Sequence, residues 1–235
     1  LVCIECGAVD EIQEDLLDNS TLDQIADKID NKIEGIRLKY VDDTYGEAIQ
    51  AGDGIIDLID SLKEHPEVGT PLYGPLINTV TRGARLKKFY LRSAPTGVGK
   101  SRSMIADACY IACDEIYDER FGWIHNGTKE PTLYIATEQE KSEIQTMMLA
   151  FLSGVNEEHI LNGQYVADEE DRVRKAATIL SEAPLYIEEL PDFSLKDIED
   201  KIKKNIRDHN VKYVFHDYIH TSLKILEEIT RRSGG

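Results

Sequence analysis

Isoleucines at positions 25, 29, 33 and 36 recur at three- and four-residue intervals within a polar, acidic stretch. That spacing puts them on one side of a helix and predicts an amphipathic α-helix over residues 21–38. Ser20-Thr21-Leu22-Asp23 ahead of it has the form of a capping-box start. A second helix is predicted from about Thr44 to Leu62, with Ile55, Ile56, Ile59 and Leu62 as its apolar side and Gly52 and Gly54 weakening it. Pro66, Gly69, Pro71, Gly74 and Pro75 then break the pattern. The chain is therefore read as an acidic helical lead-in or linker region, 1–65, and a core, 66–235.

Beyond the break, strand and helix patterns alternate. Strands are predicted at 88–93, 132–136 (Thr132-Leu133-Tyr134-Ile135-Ala136), 184–188 and 212–216. Helices are predicted over 101–118, over 141–153 with Met147, Met148, Leu149 and Phe151, over about 168–181, and from a Ser194 cap to about His209. A loop around Gly122, Asn126 and Gly127 separates the first helix from the second strand. Such alternation predicts an α/β fold with a mainly parallel sheet covered by helices on both faces.

Composition agrees with one α/β domain plus extra helices: 235 residues, 41% apolar and 30% charged. No apolar run approaches the ~18–20 residues of a membrane span. The first residue is Leu1, and Ser233-Gly234-Gly235 reads like the middle of a loop, so a piece of a longer protein is expected. Four cysteines in a chain of this length make no disulfide framework, which points to a reducing, cytoplasmic setting. Cys3 and Cys6 have the spacing of half a zinc knuckle without a second half, and are read as a buried or redox-idle pair. Cys109 and Cys113, four apart, are expected to pack as small hydrophobes.

The net charge of −17 is uneven. Residues 1–68 carry 18 Asp and Glu against 5 Lys and Arg, and the remaining residues 26 against 22. An acidic balance argues against nucleic acid held over a broad face, while leaving room for a loop or channel that grips a backbone locally.

The chemistry begins at Ala94-Pro95-Thr96-Gly97-Val98-Gly99-Lys100-Ser101, a glycine-rich turn between the apolar run Phe89-Tyr90-Leu91 and a helix. It has the form of a phosphate-binding loop, with Ala at position 94 where the strict pattern has Gly. Gly97 and Gly99 let successive backbone N–H groups face inward, and the helix N-terminus adds its partial positive charge. Lys100 is expected to reach the β- and γ-phosphates of a nucleoside triphosphate, and the Ser101 hydroxyl to hold Mg²⁺. ATP with Mg²⁺ is the default ligand.

Hydrolysis also needs a carboxylate near the metal and a group that orients water. Asp217 closes the apolar strand Tyr213-Val214-Phe215-His216 in a Walker B arrangement and is expected to act on Mg²⁺ through water. Glu138, just after Leu133-Tyr134-Ile135-Ala136-Thr137, could polarise the attacking water. Glu140 competes for that role, and both could equally begin the next helix. His216 is read as a satisfied strand-end imidazole.

Together these segments resemble the RecA-like ATPase domain of DnaB-type replicative helicases, in a form similar to phage or prophage members. The resemblance covers about 66–235 and extends to the preceding helices as a linker region. It rests on Gly69-Thr70-Pro71-Leu72-Tyr73-Gly74, the phosphate loop, Leu133 to Glu138, Met147-Met148-Leu149-Ala150, Ile160-Leu161-Asn162-Gly163, Pro184-Leu185-Tyr186-Ile187 and His216-Asp217-Tyr218-Ile219-His220, in order and spacing. It implies Lys100 and Ser101 as phosphate and Mg²⁺ contacts, Glu138 rather than Glu140 as the catalytic glutamate, and Asp217 as the Walker B acid. His220 falls where many relatives have Gln and is read as a polar sensor. The resemblance also implies a homohexameric ring, single-stranded DNA in its channel, and an arginine finger and DNA loops downstream of Gly235. A primase or helicase loader is the further partner it implies.

The reading is thus an ATP-driven DNA translocase subunit. Two alternatives remain: a RecA-like ATPase without unwinding, such as a recombination or loading factor, and a nucleotide-binding scaffold whose acidic helices dock a partner.

Overall fold

The computed structural model describes residues 29, 31, 33, 50–218, 224 and 225. Backbone contacts divide the chain into two compact units, Leu1–His65 and Pro66–Gly235. The helix expected over 21–38 lies outside the described residues except for Ile29, Asn31 and Ile33, which are helical. In the first unit, α1 (Ile55–Glu64) begins only after Gly54, so the expected helix from Thr44 is shorter on its described side. A turn over 51–54 precedes it, consistent with two glycines that favour turn geometry over helix. Its residues Ile55, Ile56, Leu58, Ile59 and Leu62 are exposed.

The second unit holds α2 (Pro75–Thr81), α3 (Lys100–Ala112), β1 (Glu115–Asp118), β2 (Gly122–His125), β3 (Thr132–Ala136), α4 (Lys141–Ser153), α5 (Glu157–Asn162), α6 (Glu169–Glu182), β4 (Leu185–Glu189), α7 (Leu195–His209) and β5 (Tyr213–Asp217). β3, β4 and β5 form a parallel sheet in the order β4-β3-β5. All five residues of β3 are buried, as a central parallel strand requires. Its side chains alternate between two cores. Tyr134 and Ala136 pack with Ile105 and Cys109 of α3, Ile144, Met148 and Leu152 of α4, and Ala176 of α6. Leu133 and Ile135 pack on the other face with Phe193, Val211 and the α7 residues Ile198 and Ile202. Fully burying side chains such as Ile144, Met148 and Leu152 stabilises by about 1.5–3 kcal/mol each. The fold is α/β, with helices on both faces of a parallel sheet.

Three expectations are corrected. The run 88–93 forms no strand: Phe89 and Leu91 are exposed, and the segment is pinned by side chains instead of a ladder. The Arg85 backbone N–H donates to the Tyr90 hydroxyl at 3.2 Å, which donates to the Gly83 carbonyl at 3.3 Å. Arg92 donates to Asp107 at 2.5 Å and to the Ser103 hydroxyl at 2.8 Å.

The helix expected over 101–118 stops at Ala112. Asn126 donates to the carbonyls of Tyr110 and Cys113 at 2.5 and 2.7 Å, and the Thr128 hydroxyl donates to Tyr110 at 2.6 Å. These bonds occupy carbonyls that a continuing helix would have used. Residues 115–118 instead pair with 122–125 in an antiparallel hairpin, so the expected loop around Gly122 contains a strand. The Asp118 carboxylate accepts the Arg120 and Phe121 N–H groups and closes its turn. α2 and α5 also form where the sequence pattern predicts no helix; both are short, at 7 and 6 residues. Cys109 and Cys113 are fully buried in the first core, and burial raises the Cys109 thiol pKa.

Candidate nucleotide site

The parallel register of β3 and β5 sets Ala136 opposite Asp217. Thr137 and Glu138 at one strand tip therefore stand beside Asp217 and Tyr218 at the other. Thr137 ties the tips together: its N–H and hydroxyl donate to the Asp217 carbonyl at 3.0 and 3.1 Å, and its hydroxyl accepts the Tyr218 N–H at 3.2 Å. Helix α3 packs on both strands, which brings the loop ahead of it to the same carboxyl edge.

In that loop Gly97 and Gly99 have φ of 81° and 88°, a left-handed geometry that disfavours side chains. A Cβ built on either would meet nothing within 4 Å, so the space in front of this backbone is open. Gly99 is the N-cap of α3 and contributes no side chain to its first N–H groups. Those donors and the helix dipole leave a cradle suited to an anion.

Lys100 and Asp217 meet at the centre. The Lys100 Nζ donates to Asp217 Oδ1 at 2.6 Å and lies 4.4 Å from the centroid of the Tyr218 ring. The Tyr134 hydroxyl donates to Asp217 Oδ2 at 2.9 Å. Burial pushes the Asp217 carboxyl up, but hydrogen bonds from Lys100, Ser101 and Tyr134 outweigh it and hold the group below its ordinary value. The Tyr218 hydroxyl donates to Glu138 Oε1 at 2.7 Å, and that bond raises the phenol pKa. A continuous chain of contacts thus runs from Glu138 through Tyr218 and Lys100 to Asp217. Glu140 instead occupies the N-cap of α4, its carbonyl accepting the N–H groups of Glu143 and Ile144.

The sequence profile of the DnaB-like helicase C terminal domain matches residues 75–233. The chain belongs to that family. It is 40% identical over 225 residues to the SPbeta prophage-derived uncharacterized protein YorI of Bacillus subtilis (strain 168), covering 95% of this chain and 45% of the relative. It is 26% identical over 86 residues to the replicative DNA helicase DnaB of Rickettsia prowazekii (strain Madrid E), covering 37% of this chain and 18% of that protein. The chain therefore spans less than half the length of these relatives. A DnaB-like replicative helicase solved in a study of its interactions with primase superposes with a TM-score of 0.59 at 14% identity, over 91% of this chain and 47% of that one. A second solved structure, of an ATPase domain, superposes with a TM-score of 0.57 at 14% identity, over 79% of this chain and 66% of that one. At that identity the superpositions speak for the fold.

Within this DnaB-like domain, the donor set fits Mg²⁺. The Ser101 hydroxyl and the Asp217 carboxylate are hard oxygen donors, of the kind that Mg²⁺ takes. Among the described residues no group of three or more His, Cys, Asp or Glu is arranged to hold a metal. The ion would complete its shell with phosphate oxygens and water, the usual habit of Mg²⁺ at nucleotide sites.

The structure brings together Lys100, Ser101, Asp217 and Glu138, all singled out from sequence. His220 and Cys3 and Cys6 lie outside the described residues. His216 stacks edge-on against Phe193 at 5.5 Å. Sequence reasoning missed Tyr134, Thr137 and Tyr218 as participants. One signal was present: a tyrosine in an otherwise apolar buried strand needs a partner for its hydroxyl. Among the described residues no helix is long and apolar enough to cross a membrane.

Proposed function

We propose that this DnaB-like domain binds Mg-ATP at the loop 94–101 and hydrolyses it as the motor of a replicative DNA helicase, moving single-stranded DNA. The observation that carries this reading is the meeting of Lys100, Asp217 and Glu138 at one sheet edge in front of an open glycine cradle. Backbone N–H groups from Thr96 to Gly99 and the α3 N-terminus would receive the phosphates. Lys100 has its charge at the mouth of that cradle, where it can neutralise the transferring phosphoryl group. Glu138, oriented by the Tyr218 hydroxyl, would take the proton of the attacking water. Ser101 and Asp217 would hold Mg²⁺, the latter through water. When bound, the ion supplies charge neutralisation at the phosphates.

Residues 1–65 are assigned as linker and 66–235 as motor core, in line with the glycine- and proline-rich break at 66–75. Family membership supports a homohexameric ring in the cytoplasm, with an arginine supplied between subunits and a primase or loader as partner. Such an arginine adds ~10³–10⁵ in rate. A polar sensor role for His220 belongs to the same reading.

The test is Mg-ATP hydrolysis with and without single-stranded DNA, on a chain extended past Gly235, with Glu138→Gln as control. DNA-stimulated turnover that disappears in the control supports the motor. Turnover indifferent to DNA replaces it with a non-unwinding ATPase, and tight binding without turnover replaces it with a scaffold.

A further inference from the structure

Tyr134 lies in the middle of β3, 0% exposed, with its ring in the core formed by α3, α4 and α6 and stacked on Phe215 at 6.5 Å between centroids. A hydroxyl in such a place is costly without a partner. Its partner is Asp217, 83 positions away along the chain: the phenol donates to Oδ2 at 2.9 Å. The two carboxylate oxygens are thus divided. Oδ2 is held from inside the core, and Oδ1 is turned to the phosphate loop, where Lys100 meets it at 2.6 Å. An aspartate side chain rotates easily about its last bond, with only a broad two-fold preference. A donor on Lys100 alone, carried on a four-carbon stem with many rotamers, would leave the carboxylate plane to follow it. The phenol cannot follow, because its ring is packed on all sides.

We propose that Tyr134 is a positioning residue, which locks the plane of the Asp217 carboxylate by holding Oδ2 in the core so that Oδ1 faces the phosphate loop. This rests on the reading of 94–101 as a Mg-nucleotide site. Tyr134 itself touches neither nucleotide nor metal in this scheme. It acts through Asp217, so its effect is carried by the metal-linked part of nucleotide binding.

The experiment uses the whole chain and a fluorescent ATP analogue titrated over a range of Mg²⁺ concentrations, with EDTA as the metal-free reference. Tyr134→Phe keeps the ring and removes the donor. Its expected effect is a loss of roughly tenfold in the Mg²⁺-linked gain in affinity, the scale of changes to groups that orient metal ligands. In the Asp217→Asn background the same change should have no further effect, because the group it orients is already altered. A readout without any change at position 134 comes from the Tyr134 ring-carbon NMR signal. It should shift on adding Mg-nucleotide to the unmodified chain and lose that response in Asp217→Asn, even if Tyr134→Phe fails to fold. An intact Mg²⁺ gain in a folded Tyr134→Phe, an equal loss in both backgrounds, or a ring signal blind to Mg-nucleotide overturns the assignment of Tyr134 alone. Absence of any Mg²⁺-linked nucleotide binding in the unmodified chain overturns the site reading beneath it.

Discussion

Asp217 is a carboxylate with 5% of its side chain exposed, and a group in that position keeps its charge only when donors surround it. Lys100 is the cationic one. Lys100→Ala should therefore act twice: it removes the proposed phosphate contact, and it strips a buried carboxylate of its cation, with Tyr134 left to hold it. The expected result is loss of nucleotide binding together with a fall in stability of about 1–3 kcal/mol, read from nucleotide titration and denaturant melts. Normal turnover in that variant would remove Lys100 from the site. Glu138 is exposed and held by one phenol, so Glu138→Gln should leave fold and binding in place. Steady-state hydrolysis should fall by ~10²–10⁴, and a loss of binding instead would make Glu138 a structural residue. Lys100, Ser101 and Asp217 could be singled out in the sequence because each sits in a short motif whose geometry is local, whereas Glu138 was separated from Glu140 only by the family resemblance. Tyr134 and Tyr218 were not, because their partners lie 83 and 80 positions away.

Among the elements, those from β3 onward other than the short α5 were legible from periodicity, and the Ser194 cap with Asp197 closes as a full capping box at the start of α7. The run 88–93 misled because an apolar stretch reads as strand whether or not a neighbour offers it a ladder. The hairpin β1–β2 was hidden for the reverse reason, since Glu115–Asp118 continues a helix pattern that only Asn126 and Thr128, arriving from further along the chain, bring to an end. The bridge Thr70–Ala84 tests packing at this scale. A Cβ added at Gly69 would stand 2.3 Å from the backbone carbon of Ala84. Gly69→Ala should thus destabilise by about 1–3 kcal/mol, measured as a lowered denaturant midpoint with an unchanged slope. An unchanged midpoint would mean that the bridge can be spread at no cost.

For the molecule as a whole, the net charge of −17 makes carboxylate pairing a determinant of acid stability. Glu188 on β4 is bound by Lys201 at 2.7 Å and Asn205 at 3.1 Å from α7. Burial raises its pKa, and these bonds more than reverse that, leaving it below the ordinary 4.5. Asp197 is likewise held below 3.8, chiefly by the Ser194 N–H. A depressed carboxylate contributes stability that is fully present above the unfolded value and is lost as pH falls through the folded value. Stability should accordingly drop as pH falls below 4.5, and Glu188→Gln should flatten part of that drop in urea melts taken across the acid range. An identical pH slope in the variant would show that Glu188 has the same affinity for protons folded and unfolded.

The sequence by itself determined the α/β alternation and the glycine-rich turn at 94–101, because helix period, strand period and the left-handed tolerance of glycine are properties of neighbouring residues, and its motifs in order and spacing carried the resemblance to the family. Tertiary structure alone decided which side chains meet at the loop. Lys100 and Asp217 are 117 positions apart, and only the parallel register of β3 and β5, set by two buried faces that a one-residue slip would exchange, brings the carboxylate under the lysine with Tyr134 behind it.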